Sequence, residues 1–404
     1  MPYNRNKKRP QLKNMYKCNT FSNLPISSYE SLLHEWMGKH EHKGGPMWPD
    51  WETRTFERHC RAGQPIDHMP EMSEKLIKIS VNAGFWGGPI HGHFGHQIAD
   101  FSMRIMPSIF TNPSAKLIFF PTENKIPSWF KSILNWFELS DDNIIYLNQP
   151  SVINKISVCE QIEQLYKPVL NEAHLTNMDN FIANKNLGLN KITKTIYVSR
   201  AGSTFNGSCL AGERYLEHCI NLAGGLVFRP ETHSIQDQIK IYLSASRLIF
   251  SEGSALHACQ LLGRLDAEID VLCRRDSVDW YWENILSTRV KNRHYEDLRQ
   301  HTIMGLGLQG EALVHATAVI LDIKKLHAYF SSRGLNISKY WDMKTYTDTA
   351  VEDIYRWVSE RTCGQYNSLE SDIQVINQLR NANLNMIAEF TENRLKNKLS
   401  QTTK

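Results

Sequence analysis

No two of the eight cysteines stand close enough to read as a motif; they fall at positions 18, 60, 159, 209, 219, 259, 273 and 363 of 404 residues. Without a CxxC spacing the chain has neither a zinc knuckle nor a thioredoxin-like dithiol. Their density also falls well short of a disulfide-built scaffold, which points to thiols in a reducing, cytoplasmic compartment. A long apolar run is missing as well, so no helix of membrane-spanning length is expected. The opening residues lack the apolar stretch of a signal peptide. Membrane contact is then expected only at the periphery, on the inner face.

Charge of one sign is equally scarce. Lys and Arg number 46 against 42 Asp and Glu, a formal charge of +4. So even a balance argues against a nucleic-acid partner, yet it leaves room for a small anionic ligand. The basic runs at residues 6–9 and 394–398 read as solvated tails. No internal repeat implies a solenoid. The phosphate loop GxxxxGK[ST], the dinucleotide fingerprint GxGxxG and the zinc motif HExxH are all absent, and with them the ATPase, oxidoreductase and metalloprotease classes those motifs mark.

What is present is an ordinary globular composition, 41% apolar and 22% charged, in a chain too long for one core. Residues 76–81, 116–120 and 143–147 read as strands, residues 94–110 and 127–138 as helices, and residues 84–92 as a glycine-rich loop. Pro107 is expected to kink or end the first helix. A helix is expected at residues 28–37, and residues 160–190 read as a connection. Strands at 193–198, 225–228, 247–250 and 268–272 then alternate with helices at 212–222, 235–244 and 254–262. That βα order favours a parallel sheet with helices on its faces. Residues 318–322 follow as a strand, and the chain closes in helices that bury Trp357 and Leu379.

Two segments concentrate chemistry. In the first, His96 and Asp100 stand four apart, on one face of a helix, with Arg104 a turn further on. Asp100 can accept the proton of an attacking hydroxyl, or orient His96 to do so. Arg104 can anchor Asp100 or meet a phosphate, and the preceding glycines permit a ligand close to the backbone. His91, His93, His96 and Asp100 also carry the ligand types of a metal site, the basis of a rival reading as a metal-dependent hydrolase or oxygenase.

In the second segment a buried strand ends at Glu252-Gly253-Ser254-Ala255-Leu256-His257 and turns into a helix. Free amides at the helix start attract phosphate. Gly253 lets a ligand approach, Ser254 caps or donates, and Glu252 can accept from ribose or sugar hydroxyls. Arg200, after the strand at 193–198 and before Ser203, can neutralise a departing diphosphate. Trp36, Trp280 and Trp282 are candidates for stacking on sugar rings. A non-catalytic sugar-nucleotide-binding module is the non-enzymatic alternative.

As an ordered set, Phe94-Gly95-His96, Asp100, Arg104 and Pro107, then Tyr197-Val198-Ser199-Arg200, then Gln236-Asp237-Gln238 through Glu252-Gly253-Ser254-Ala255-Leu256, the chain resembles glycosyltransferase family 61 over residues 80–275. Relatives carry His-Gly-Ala-Gly-Leu at the last turn, where this chain has Glu252 and Ser254-Ala255. The resemblance implies two Rossmann-like lobes of GT-B type facing a cleft, with C-terminal helices packing back on the first. It implies inverting, metal-independent transfer from a nucleotide sugar, UDP-linked, to a glycan or lipid-linked acceptor, with no cofactor. Asp100 and His96 would be catalytic. Arg200, Ser203, Glu252, Gly253, Ser254, Ala255 and Leu256 would bind the donor, supported by His93, Arg104, Gln238 and His257. Residues 1–75 would form an extension packed on the first lobe, 76–185 the acceptor-facing lobe, 190–345 the donor lobe, 346–395 the final helices and 396–404 a flexible tail.

Overall fold

The computed structural model describes residues 16–32, 42–71, 75–81, 84–167, 171–202, 208–276, 279–307, 310–361 and 368–402. The described residues up to Phe181 form one compact unit and those from Ile182 onward a second. Both combine sheet and helix.

The first unit contains β1 (Cys18–Ser31), β2 (His42–Pro46), the hairpin β3 (Cys60–Arg61) and β4 (Gln64–Pro65), β5 (Asp67–His68), β6 (Ile77–Ile79), β7 (Gly84–Ile90), β8 (Lys116–Pro121), β9 (Ile144–Tyr146) and β10 (Ser151–Cys159). Its large sheet has the order β5-β2-β1-β10-β7-β8-β9, with β6 also against β10. From β10 to β9 the pairing is parallel, whereas β1 is antiparallel to both its neighbours. Helices α1 (Phe94–His96), α2 (Ile105–Thr111) and α3 (Ser128–Trp136) follow the central strands, and α4 (Glu172–Asn184) fills part of the region read as a connection.

Three readings are corrected here. Residues 18–31 are part of the first lobe's sheet rather than an extension packed on it, because β1 runs through the middle of that sheet and buries Leu24 and Ile26. Residues 28–31 are strand rather than helix, and residues 33–37 lie outside the described residues. One partner of β1, β10, lies more than a hundred residues away, beyond the reach of local periodicity. Across that pair Cys18 and Cys159 form a disulfide, at a sequence separation of 141. Such a bond stabilises by about 2–4 kcal/mol, belongs to oxidising surroundings, and removes the thiol-based argument for a reducing compartment.

The glycine-rich stretch, expected as a loop, is corrected as well. It is the buried strand β7, and its glycines admit the protein's own elements rather than a ligand. A β-carbon at Gly87 would stand 2.4 Å from Cε1 of Phe119; one at Gly88, where φ is +115°, would stand 2.8 Å from the carbonyl oxygen of Phe101.

The second unit is the cleaner one. Strands β11 (Ile196–Val198), β13 (Leu226–Phe228), β14 (Arg247–Ser251), β15 (Glu268–Leu272) and β16 (Arg293–Glu296) form a wholly parallel sheet in the order β13-β11-β14-β15-β16. Helices α5 (Glu213–Leu222), α6 (Ile235–Ser244) and α7 (Asp279–Leu286) and a 3₁₀ helix (Ser254–Leu261) connect the strands. Because β11 has β13 on one side and β14 on the other, the winding reverses between β11 and β14. A smaller sheet joins β12 (Cys209–Leu210) to β18 (Ala312–Leu321) and β17 (Arg299–Leu306).

Helices α8 (Ile323–Ser332), α9 (Met343–Arg361), α10 (Leu369–Asn381) and α11 (Asn385–Thr402) complete the chain. Trp357 and Leu379 are buried as expected, in one core with Tyr197, Leu216 and Phe330. These helices therefore build the second unit's own core. Gln378 and Ser371 of α10 accept backbone N–H groups of β17 at 2.6 and 2.8 Å. The residues expected as a flexible tail are helical as far as Thr402.

Candidate functional site

In the first unit, the turn after β7 begins with His93, whose ring caps α1 by accepting the N–H of His96. The helix then widens. Residues Gln97–Phe101 form a π turn, closed by the N–H of Ser102 on the carbonyl of Gln97 at 2.8 Å. The helical run breaks at residues 102–104, so Pro107 sits harmlessly in the first turn of α2. Single π turns of this kind recur at functional sites.

This geometry turns Asp100 inward and parts it from Arg104. Arg104 is buried and donates to the carbonyls of Cys159, Phe56, Glu57 and Arg58, so it clamps backbone, while with Asp100 it borders a cavity of about 460 Å³. The arginine paired with Asp100 is Arg61, on β3, donating from Nε and Nη2 to Oδ2 at 3.2 and 2.7 Å. Nε2 of His59 approaches Oδ1 at 3.3 Å, and Nδ1 of His96 lies 3.9 Å from Oδ2. Burial works to raise the pKa of Asp100, but the charge of Arg61 and the neighbouring His59 and His96 hold it well below the usual carboxylate range.

The side chain of Asp100 is wholly buried, while that of His96 is 30% exposed. Of the two catalytic candidates, only His96 reaches solvent. His91 is nearby, its pKa lowered to about 4 by burial and by His96. Among the described residues no group of three or more His, Cys, Asp or Glu is arranged to hold a metal ion. The four candidate ligands do not converge, which disfavours the metal-dependent reading.

The second unit joins the other two candidates. Register aligns Val198 with Phe250, so two residues beyond that pair Arg200 comes beside Glu252. Nη1 of Arg200 donates to the Glu252 carbonyl at 2.8 Å, and its guanidinium stands 3.5 Å from where a β-carbon on Gly253 would be. Gly253 is extended, at φ 175°. A side chain there would meet the guanidinium at ordinary contact distance.

Alternate residues of Tyr197-Val198-Ser199-Arg200 converge on Glu213 at the start of α5. Tyr197 Oη, Ser199 Oγ and the Arg200 N–H donate to its Oε1 at 2.7, 3.3 and 3.2 Å. Burial raises the Glu213 pKa against these partners. Beside Arg200 a cavity of about 270 Å³ is lined by Ser208, Glu213, Arg214 and Asp353.

Glu252 does not have the role expected for it. Its carboxylate is buried and accepts the backbone N–H groups of Arg274 and Arg275 at 2.7 and 3.2 Å and Nε of Arg275 at 2.6 Å. Burial works to raise its pKa, yet Arg274 and Arg275 hold it below the usual value. It orients arginines rather than ribose hydroxyls. Arg274 is itself buried, and burial, then the charge of Arg200, press its pKa well down.

The remaining candidates divide. Ser254 and Ala255 are partly exposed at the start of the 3₁₀ helix, whereas Leu256 is core. His257 is buried between Gln260 at 2.7 Å and Tyr281 at 3.2 Å. Gln238 braces the loop after β13 by donating to the carbonyls of Pro230 and His233. Ser203 and Trp36 lie outside the described residues. Sequence reasoning missed Arg61, His59, Glu213, Arg274 and Arg275. Only the last two left a signal, as adjacent arginines directly after a buried strand.

Residues 94–264 match the family model described as Glycosyltransferase 61, a span of less than half the chain. It begins at the first residue of α1 and ends just past the 3₁₀ helix, so it takes in His96, Asp100, Arg200 and the turn at Glu252. The resemblance read from the motifs is borne out over that span, and it supports a glycosyltransferase-type activity. No curated protein sequence matches the chain significantly.

Proposed function

We propose, from the premise that residues 94–264 are glycosyltransferase-like, that the chain moves a sugar from a nucleotide donor, UDP-linked, to a hydroxyl of a glycan or lipid-linked acceptor with inversion. The observation that carries this reading is the placement of Arg200 and the Gly253–Ser254 turn at the reversal of winding between β11 and β14. Open parallel sheets bind ligands at that point, beyond the carboxyl ends of the strands. Arg200, Arg274 and Arg275 meet there against the buried Glu252, and the two acceptor-rich phosphoryl groups of a diphosphate offset the excess charge. The first amides of the 3₁₀ helix add further donors.

In the transfer step the acceptor oxygen forms its bond to the anomeric carbon as the bond to the diphosphate breaks. The electron pair leaves with the diphosphate, where the arginines stabilise the developing charge. The proton of the acceptor hydroxyl goes to His96. Asp100, held ionised by Arg61, orients that imidazole and stabilises its cation, so the buried carboxylate acts through the exposed ring. This assigns the base differently from the simplest sequence reading, because proton abstraction requires reach.

Calorimetric titration of several nucleotide sugars, followed by product analysis with a panel of glycan acceptors, tests the reading. Binding of UDP-sugars with transfer that is insensitive to chelators is the expected result. Full transfer by His96→Ala would remove His96 from the base role, and failure to bind any nucleotide would remove the function itself.

A further inference from the structure

Of the three tryptophans singled out as ring-stacking candidates, the fold describes two, and it separates them. Trp282 is 1% exposed, with its ring 5.0 Å from that of His257. It is core. Trp280 is 51% exposed.

Trp280 opens α7, directly after the loop that leaves the carboxyl end of β15, so it stands on the same sheet edge as Arg200, Arg275 and Ser254. It is tied to that edge through Tyr281. The Tyr281 hydroxyl lies 3.2 Å from Nε2 of His257, on the 3₁₀ helix that starts at Ser254. The guanidinium of Arg275 lies 6.0 Å from the centroid of the Tyr281 ring, and the Tyr281 and Trp280 rings meet edge to face at 6.2 Å. A continuous path therefore runs from Arg200 through the Glu252 turn and Arg275 to an indole that is half in water.

An indole on a short helix, fixed from behind by a tyrosine that is itself hydrogen-bonded, offers a flat ligand ring a surface with little ordering cost. One strand, β14, separates the strand it follows from the far side of the reversal of winding, where the diphosphate is placed. We propose that Trp280 is the platform on which the base of the bound nucleotide stacks, with Tyr281 and Arg275 as the adjoining wall. This rests on the donor site proposed above and adds the residue that recognises its base end.

The test uses the full chain and two probes, UDP and inorganic pyrophosphate, titrated by calorimetry against wild type, Trp280→Ala and Trp280→Phe. Stacking on an aromatic side chain predicts that Trp280→Ala weakens UDP binding roughly 5- to 100-fold. Trp280→Phe should retain most of the affinity, and pyrophosphate affinity should stay unchanged in both. Equal loss of UDP and pyrophosphate binding, or UDP affinity within twofold of wild type in Trp280→Ala, overturns the platform while the donor site stands. Loss of affinity for a glycan acceptor with UDP unaffected also overturns it, and assigns the indole to the acceptor. Wild type that binds pyrophosphate but not UDP removes the nucleotide reading and this inference together.

Discussion

Both candidate arrangements use a buried carboxylate to aim basic groups, and they differ in how the charges balance. In the first unit Asp100 faces one arginine, Arg61, and the exposed group that results is an imidazole. In the second unit Glu252 faces Arg274 and Arg275, Arg200 leans on its carbonyl, and the corner stays positive. A neutral pair that supports a histidine suits proton transfer. An arginine excess at a sheet edge suits an anion. One physical device thus serves two tasks, and the count of arginines decides which.

The comparison can be broken most decisively at His96. Replacing it with Ala should lower transfer by about 10²–10⁴-fold, the usual contribution of a positioned base, while UDP affinity measured by calorimetry stays at wild type. Loss of nucleotide binding in that variant would place His96 at the donor instead.

Asp100→Asn should cost about 3–5 kcal/mol in denaturant unfolding, because it breaks the buried ion pair with Arg61. Its pH dependence sharpens the point. The folded pKa of Asp100 lies below its unfolded value, so its stabilisation is complete above the unfolded value, near 3.8, and is lost as pH falls through the folded one. The acid limb of the stability curve should therefore flatten in Asp100→Asn, and an unchanged limb would show that the carboxylate is not held ionised.

At the positive corner, Arg200→Ala should weaken UDP binding roughly 10- to 100-fold, the scale of charge-assisted hydrogen bonds. Arg200→Lys should restore only part, since an ammonium lacks the fork. The melting temperature of both should stay close to wild type if the residue serves the ligand rather than the fold. The smallest effect is expected from Gly253→Ala. Its backbone is extended and the new methyl meets Arg200 at an ordinary 3.5 Å, so stability should hold and UDP affinity should drop by about twofold to tenfold as the arginine face is covered.

Legibility differed sharply between the units. The second was readable because, apart from β11 with β14, neighbouring strands follow one another through a helix, and the βα alternation that sets this order lies in the local pattern. Arg200 and the turn at Gly253 could be named because strand ends are visible in sequence. The first was read less well because β1 pairs with β10, and neither strand signals the other. The glycines of β7 looked like a ligand loop because sequence cannot show that Phe119 and the Phe101 carbonyl fill the space above them.

The chain by itself determined which residues carry the chemistry, and the order of strand and helix that presents His96, Asp100, Arg200 and the turn at Ser254. Spacing and strand ends are local properties, and local properties survive in sequence. Only the tertiary structure decided that Asp100 is buried against Arg61, that Arg104 clamps backbone, that Glu252 serves arginines, and which tryptophan is core. Partnership and burial depend on residues brought together from distant parts of the chain, and no local pattern encodes them.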